Sequence, residues 1–248
     1  MLIAALVAAL FLLPRPWLAG LIALLVAAAG FEWARLCRLQ AGAVWLYAAL
    51  SAAAFVVLFI VGAERIAFAV GCVFWLSVAP LWLARGMHAA HRPALLGAGF
   101  LVLVPTALAM TSLPPLPLLL VLVLVWVADT AAYFAGRAWG RHKLAPAISP
   151  GKTWEGAAGG VIGALAYAII CGSFFERIAW MPFLAAAALL AGLSIVGDLF
   201  ESAAKRQAGV KDSGALLPGH GGILDRVDSA TATLPLAALL WPLMKGNW

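Results

Sequence analysis

The amino-acid sequence predicts an all-α, polytopic integral membrane protein with about nine transmembrane helices. Three observations carry this expectation. Of 248 residues, 65% are hydrophobic and 10% charged, with a mean hydropathy of +1.05. A soluble globular protein carries roughly 25% charged residues, so there is too little charge here to coat a water-soluble surface. Long apolar runs recur along the chain and are apolar on all sides, as helices surrounded by lipid or by other helices are. Lys and Arg collect on alternate loops, as the positive-inside rule requires.

The segments follow in order. Met1–Leu13 is apolar but shorter than the ~20 residues a span usually needs. No basic stretch precedes it, so it reads poorly as a cleavable signal peptide and is expected to be a short first span or the remnant of a longer N-terminus. Trp17–Phe31 stops before Glu32 and Trp33, which are expected to mark a membrane interface. Val44–Gly62 and Ile66–Leu83 are separated by a tight connection carrying Arg65. A solvated loop holding His88 and His91 leads into Leu95–Met110; the His pair has metal-like spacing but no third ligand near it. The Pro-rich Thr111–Pro117 reads as a turn outside the membrane. Leu118–Ala135 is interrupted by Asp129. Gly156–Phe175 carries Gly156, Gly159, Gly160 and Gly163, which suit close helix packing better than ligand binding. Trp180–Leu199 ends on Asp198, and Ala230–Met244 is the last span. With no long polar linker and no visible repeat, the chain reads as one transmembrane domain, 1–248. Within it 1–116 is mostly scaffold, 117–233 the catalytic region, and 234–248 the last span and C-terminus.

Loops after even-numbered segments hold twelve Lys and Arg residues, and loops after odd-numbered ones, with the C-terminus, hold four. That bias places the even loops and the N-terminus in the cytoplasm and the C-terminus outside. Trp17, Trp45, Trp82, Trp139, Trp180 and Trp241 fall near segment ends, as an aromatic belt would. The net charge of +6 fits basic loops facing anionic lipid rather than nucleic acid. Cys37, Cys72 and Cys171 lie far apart without a CxxC pair, which suggests neither a disulfide framework nor a zinc site. Eight of the ten acidic residues lie between 129 and 228, and all of these but Glu176 fall on the side expected to be cytoplasmic. Any chemistry should be there.

Two stretches could carry it. "ISPGKTWEG", Ile148–Gly156, contains the Gly-Lys-Thr that ends a nucleotide-binding P-loop. A P-loop also needs a glycine five residues earlier and a strand upstream. Pro146 stands at the glycine position, and a basic loop rather than a strand is expected before it. The stretch reads better as a loop, rigidified by Pro150, that feeds a helix N-terminus capped by Ser149 or Thr153. Such a terminus attracts phosphate. Lys152 is placed to contact one, and Trp154 is a stacking platform or an interfacial anchor. The second stretch is "GDLFESAAKRQAGVKDSGALLPGHGGILDRVD", Gly197–Asp228. On a helix Asp198, Glu201, Ser202 and Lys205 share a face, and Asp225 and Asp228, three apart, point the same way. Carboxylates at a membrane face are expensive unless paired or metal-bound. Hard oxygen ligands without cysteines suit Mg²⁺, which takes one or two carboxylates and leaves other positions to water and phosphate. Lys205, Arg206, Lys211 and Arg226 would balance phosphate charge, and the glycines would let backbone N–H groups approach it. Asp129, an ionisable group within a span, is a functional candidate by default, and Tyr133 one turn on shares its face.

Ser202, Lys205-Arg206, Lys211-Asp212, Gly214, Pro218, His220-Gly221-Gly222, Asp225-Arg226 and Asp228 form a long pattern of fixed spacing. Together with "ADTAAYFAGRAWGRHKLAPAISPGKTWEG" upstream, it resembles the phosphatidate cytidylyltransferase, or CDP-diacylglycerol synthase, family over roughly Trp126–Thr233. Ala204 departs from the bulky apolar residue usual in that family, and the chain starts without the family's short basic lead-in. The resemblance implies the reaction CTP + phosphatidate → CDP-diacylglycerol + pyrophosphate, a step of phospholipid biosynthesis. It also implies a homodimer in the cytoplasmic (inner) membrane, with a cation pair, Mg²⁺ and a second ion, in a cytoplasm-facing cavity. By the same resemblance Asp198 and Asp225 are metal ligands, with Asp228 and Asp212 close by.

Residues and resemblance together give the candidate site. Lys205, Arg206, Lys211, Asp212, His220 and Asp228 are the catalytic candidates. Ser149, Lys152, Thr153, Ser202, Gly221, Gly222, Arg226 and Asp129 are the substrate- and phosphate-binding ones, and Asp198, Asp225 and Asp228 the metal ligands. The alternative is a CTP-dependent lipid kinase of the polyprenol or phytol type, whose acceptor hydroxyl would want a general base. A transporter predicts inverted repeats and midplane charges, but here no repeat is visible and the charges gather towards one face.

Overall fold

A computed structural model describes residues 2–175, 178–214, 216 and 221–244. Each of the nine apolar segments is helical. The helices are α1 (Leu2–Leu12), α2 (Arg15–Leu36), α3 (Ala41–Val61), α4 (Glu64–Val73) and α5 (Ala79–Arg85), then α6 (Arg92–Ser112) and α7 (Pro115–Trp139). A hairpin of β1 (Lys143–Ala145) and β2 (Ser149–Thr153) follows, and then α8 (Trp154–Gly172), α9 (Trp180–Gln207) and α10 (Leu224–Met244). A π-helical turn, Phe74–Val78, joins α4 to α5 into one rod. Among the described residues seven helical rods are long and apolar enough to cross a membrane, so the count of about nine spans is not confirmed. Helix α1, with 11 residues, is too short, and α10 opens on Asp225, Arg226 and Asp228.

The charged ends of the helices differ most from expectation. Apolarity stops at the first charged residue, but helical hydrogen bonding does not. Helix α7 runs four residues past Ala135, α9 runs eight past Leu199, and α10 starts six before Ala230. Arg137, Glu201, Ser202, Lys205, Arg206, Asp225 and Asp228 therefore stand on helix rather than on loops.

Helices α7 and α8 pack closely through small residues. A Cβ on Gly160 would stand 3.0 Å from the Ala128 carbonyl oxygen, and one on Gly163 2.6 Å from the Ala131 Cβ. The glycine row thus sets the spacing of this pair. On the other side of α9, Phe200 is fully buried in a cage of aromatic rings from Trp33, Phe74, Trp75 and Trp82. The π turn supplies Phe74 and Trp75. Trp82 therefore belongs to the core and not to the interfacial belt, whereas Trp17, Trp45 and Trp139 are exposed as expected. Trp33 is likewise buried, donating Nε1–H to the Leu95 carbonyl at 2.8 Å.

The ends of α2 and α9 are tied reciprocally. Arg38 Nη2 donates to the Ala208 carbonyl at 2.9 Å, and Gln207 Nε2 to the Leu36 carbonyl at 2.9 Å. Cys37 lies buried beside this tie, and burial pushes its thiol up to about 12, which leaves it chemically inert.

Candidate active site

The basic loop before α8 is a hairpin, a correction to the expectation of irregular chain. β1 pairs antiparallel with β2, Lys143 opposite Thr153 and Ala145 opposite Ser149. The strand upstream of Gly151 is thus real, but it belongs to a two-stranded ribbon rather than to the parallel sheet of a P-loop fold. Glu155 clasps the hairpin base. Its carboxylate accepts from the backbone N–H groups of Arg141 and His142 and lies 2.6 Å from His142 Nδ1. Thr153 caps α8 by accepting from the Gly156 N–H at 3.1 Å, a contact worth roughly 1 kcal/mol. Ser149 is not a cap; it sits in β2 and lines a cavity.

That cavity, of about 500 Å³, lies between the hairpin, α7, α9 and α10. Three carboxylates from three helices line it: Asp129, Asp198 and Asp228. Asp198 acts electrostatically on both Asp129 and Asp228. Each has local support. Ser229 Oγ donates to Asp129 Oδ2 at 3.3 Å, Ser202 Oγ to Asp198 Oδ1 at 3.2 Å, and the Ser229 N–H to Asp228 Oδ1 at 2.7 Å. Gly197 makes the gathering possible, since a Cβ there would stand 2.6 Å from the Asp228 carbonyl oxygen and hold α10 away. From the hairpin, Lys152 reaches across to Asp198, with 2.5 Å between Nζ and Oδ2. Thr153 and Ser149 line the same cavity, as do Tyr133 and Arg137 of α7.

Asp225 does not line this cavity. Although three residues from Asp228, it turns inward. Its Oδ1 accepts from Lys205 Nζ at 2.7 Å, and its Oδ2 from the N–H groups of Ser213 and Gly222 at 3.0 and 2.9 Å. Lys205, itself nearly buried, also pairs with buried Glu201 at 3.1 Å. The expected shared faces on α9 hold, Ser202 with Asp198 and Lys205 with Glu201. The expectation that Asp225 and Asp228 point together does not, because Asp225 sits where the first turn of α10 meets the preceding loop.

The other candidates are placed as follows. Arg206 is exposed, donating Nε–H to the Ile148 carbonyl at 3.3 Å and so bracing the hairpin. Lys211 and Asp212 are exposed in the loop after α9, and Arg226 is exposed on α10. Gly221 adopts φ +81°, a left-handed conformation that favours glycine. A Cβ on Gly222 would stand 2.6 Å from Glu32 Oε2. His220 and Pro218 lie outside the described residues. Among the described residues no three His, Cys, Asp or Glu side chains stand close enough to hold a metal ion by themselves.

Glu32 is the residue the sequence did not reveal. Expected at an interface, it is 1% exposed. Its carboxylate accepts from Ser213 Oγ and from the N–H groups of Ile223 and Leu224, each at 3.0 Å. It thus supplies an N-terminal cap to α10 from 192 residues away. Gly214 and Gly222 leave room for it, since a Cβ on Gly214 would stand 2.6 Å from Oε1. A lone glutamate at the end of an apolar run gives no hint of so distant a partner.

Set beside known proteins, residues 1–244 match the family model described as the cytidylyltransferase family. A phosphatidate cytidylyltransferase of Pseudomonas aeruginosa is 41% identical over 248 residues, covering 93% of this chain and 90% of that protein. One from Haemophilus influenzae is 50% identical over 123 residues, covering 48% of this chain and 43% of that protein. One from Brucella suis is 52% identical over 117 residues, covering 47% and 42%.

Proposed function

The chain belongs to the cytidylyltransferase family, and from that premise we propose that it is a membrane enzyme making CDP-diacylglycerol and pyrophosphate from CTP and phosphatidate. The observation that supports this best is the Lys152–Asp198 pair at 2.5 Å in a cavity that also holds Asp129 and Asp228. It sets a hairpin cation and helix carboxylates around one space, and both halves of the pair can exchange partners when a nucleotide arrives. The cavity size suits a nucleotide, for ligand pockets usually measure ~300–1,000 Å³.

The reaction needs no strong protein base. The second pKa of a phosphate monoester is about 6, so the lipid phosphate is largely dianionic at pH 7. The barrier is repulsion between that anion and the α-phosphate of CTP, and fixed cations lower it. Lys152 leaves Asp198 for a nucleotide phosphate. Thr153 and Ser149 present hydroxyls beside it. Arg206 braces the hairpin, and Lys205 holds the base of α10 through Asp225.

The donor set fits Mg²⁺, because hard carboxylate oxygens face one polar cavity and no more than one or two are needed beside phosphate. Asp198 and Asp228 would hold it, with Asp225 the further ligand that family resemblance implies and a second cation part of the same proposal. Bound there, the ion would neutralise phosphate charge and align attacking and leaving oxygens in line. The reading includes a homodimer, a cytoplasmic-membrane location and a cavity open to the cytoplasm. The location of Lys152, Lys205, Arg206 and Lys211 around this end of the bundle supports that orientation.

The test is transfer of label. Purified protein in mild detergent, given phosphatidate, Mg²⁺ and CTP labelled at the α-phosphate, is expected to move label into the lipid phase, and EDTA to stop it. Transfer from γ-labelled CTP to a lipid alcohol instead would replace the proposal with a kinase. Within this assay Lys152→Ala is expected to raise the KM for CTP by about tenfold or more, the scale of one charge-assisted hydrogen bond. An unchanged KM would remove Lys152 from the nucleotide site.

A further inference from the structure

Two basic side chains line the cavity, and they are in different states. Lys152 is committed to Asp198. Arg137, in the last turn of α7, has no carboxylate within ion-pair distance among the described residues. Its partner is the Tyr133 hydroxyl, one turn earlier, which accepts from Nη1 at 3.1 Å. A guanidinium carries five N–H donors in a planar fork, so most of its capacity is open to a ligand. An arginine at the end of a membrane helix ordinarily extends to the interface simply to keep its charge wet. This one also forms part of the cavity wall, and an acid-lined wall gives it a reason to be there.

Its surroundings identify the side from which a ligand comes. Phe134 and Trp139 flank it on α7 and are 63% and 69% exposed; Trp154 at the start of α8 is 62% exposed. On a membrane helix, large exposed rings near the end mark the bilayer interface. The cavity therefore has a polar hairpin rim formed by Ser149, Gly151 and Lys152, and a second rim on α7 where Tyr133 and Arg137 meet lipid-facing rings. The two substrates of the proposed reaction divide the same way. One is soluble; the other must bring its phosphate in while its acyl chains stay in the bilayer.

We propose that Tyr133 and Arg137 form the lipid-side threshold of the cavity, where the Arg137 guanidinium takes the phosphomonoester of the lipid substrate. Tyr133 fixes the plane of the fork. A planar fork matches two terminal oxygens of a phosphate bidentately. A monoester offers three such oxygens and nearly two negative charges, whereas the diesters of bulk membrane lipid offer two oxygens and one charge. Arg137 thereby favours phosphatidate over the lipids that surround it. This inference rests on the proposed function.

Two measurements test it. In mixed micelles at saturating CTP, Arg137→Ala is expected to raise the phosphatidate mole fraction needed for half-maximal rate by about tenfold or more, with the KM for CTP changed less than twofold. Arg137→Lys, a point charge without the fork, should recover part of the loss. Without CTP, detergent-purified wild-type protein should retain phosphatidate over phosphatidylcholine, and Arg137→Ala should lose that preference. An unchanged phosphatidate requirement, or a parallel rise for CTP, overturns the proposal. Selective retention through Arg137 in a protein that transfers no cytidylyl group would support the threshold and sink the proposed reaction instead.

Discussion

Glu32→Ala is expected to cost the protein more stability than any single change at the cavity itself. The wild-type carboxylate accepts from Ser213 Oγ, Ile223 N–H and Leu224 N–H in a place closed to water. Alanine leaves the Ile223 and Leu224 N–H groups without an acceptor and Ser213 Oγ with Asp225 alone. Each orphaned N–H costs about 1–3 kcal/mol if water cannot reach it, so a net loss on the order of 3–5 kcal/mol is expected after partial relaxation. Followed by tryptophan fluorescence in detergent, the Tm should fall by on the order of 10 °C. Turnover should fall with it, because Ser213 also donates to Asp225, and Asp225 holds Lys205. Glu32→Gln keeps the shape and an acceptor oxygen but loses the charge at the N-terminus of α10, worth ~1 kcal/mol, so it should fall between the two. An alanine variant with wild-type Tm and turnover would show that Glu32 does not hold the loop.

Much of this molecule was legible in its sequence, for reasons that differ by element. Helical spans announce themselves by bulk hydropathy, so each apolar segment returned as a helix. The family pattern from Ser202 to Asp228 is local, and its α9 part obeys the helical spacing that makes Ser202 meet Asp198 and Lys205 meet Glu201. What escaped is non-local or irregular. Glu32 works across a separation of 192 residues. The hairpin at Lys143–Thr153 has few β-branched residues and is held by the Glu155 side chain rather than by strand propensity. Asp225 and Asp228 diverge because one faces a loop and the other a cavity, which helical periodicity alone does not distinguish. Hydropathy also hides Arg137: an apolar segment that ends at Ala135 leaves it as one more basic loop residue, although α7 continues to Trp139.

That divergence yields the second large effect, in a pair of isosteric changes. Asp198→Asn removes a charge from the cavity wall. The amide oxygen can still accept from Ser202 Oγ, and the side chain is already partly exposed, so the fold loses little. Turnover should fall by about 10³-fold or more, the scale on which removing one electrostatic element of a phosphoryl- or acyl-transfer site acts. Asp225→Asn should also abolish turnover, but by a different route. It leaves the nearly buried Lys205 paired with Glu201 alone and weakens the seat of Ser213 and Gly222. Breaking such a buried pair from one side costs about 3–5 kcal/mol. The two inactive variants should therefore separate on thermal unfolding: Asp198→Asn near the wild-type Tm, Asp225→Asn well below it. If Asp225→Asn is dead yet as stable as wild type, its carboxylate acts directly in the chemistry, as the family resemblance holds, and the Lys205 pair matters less than its 2.7 Å contact implies. If Asp198→Asn keeps its turnover, the cavity around Lys152 is not where the nucleotide reacts.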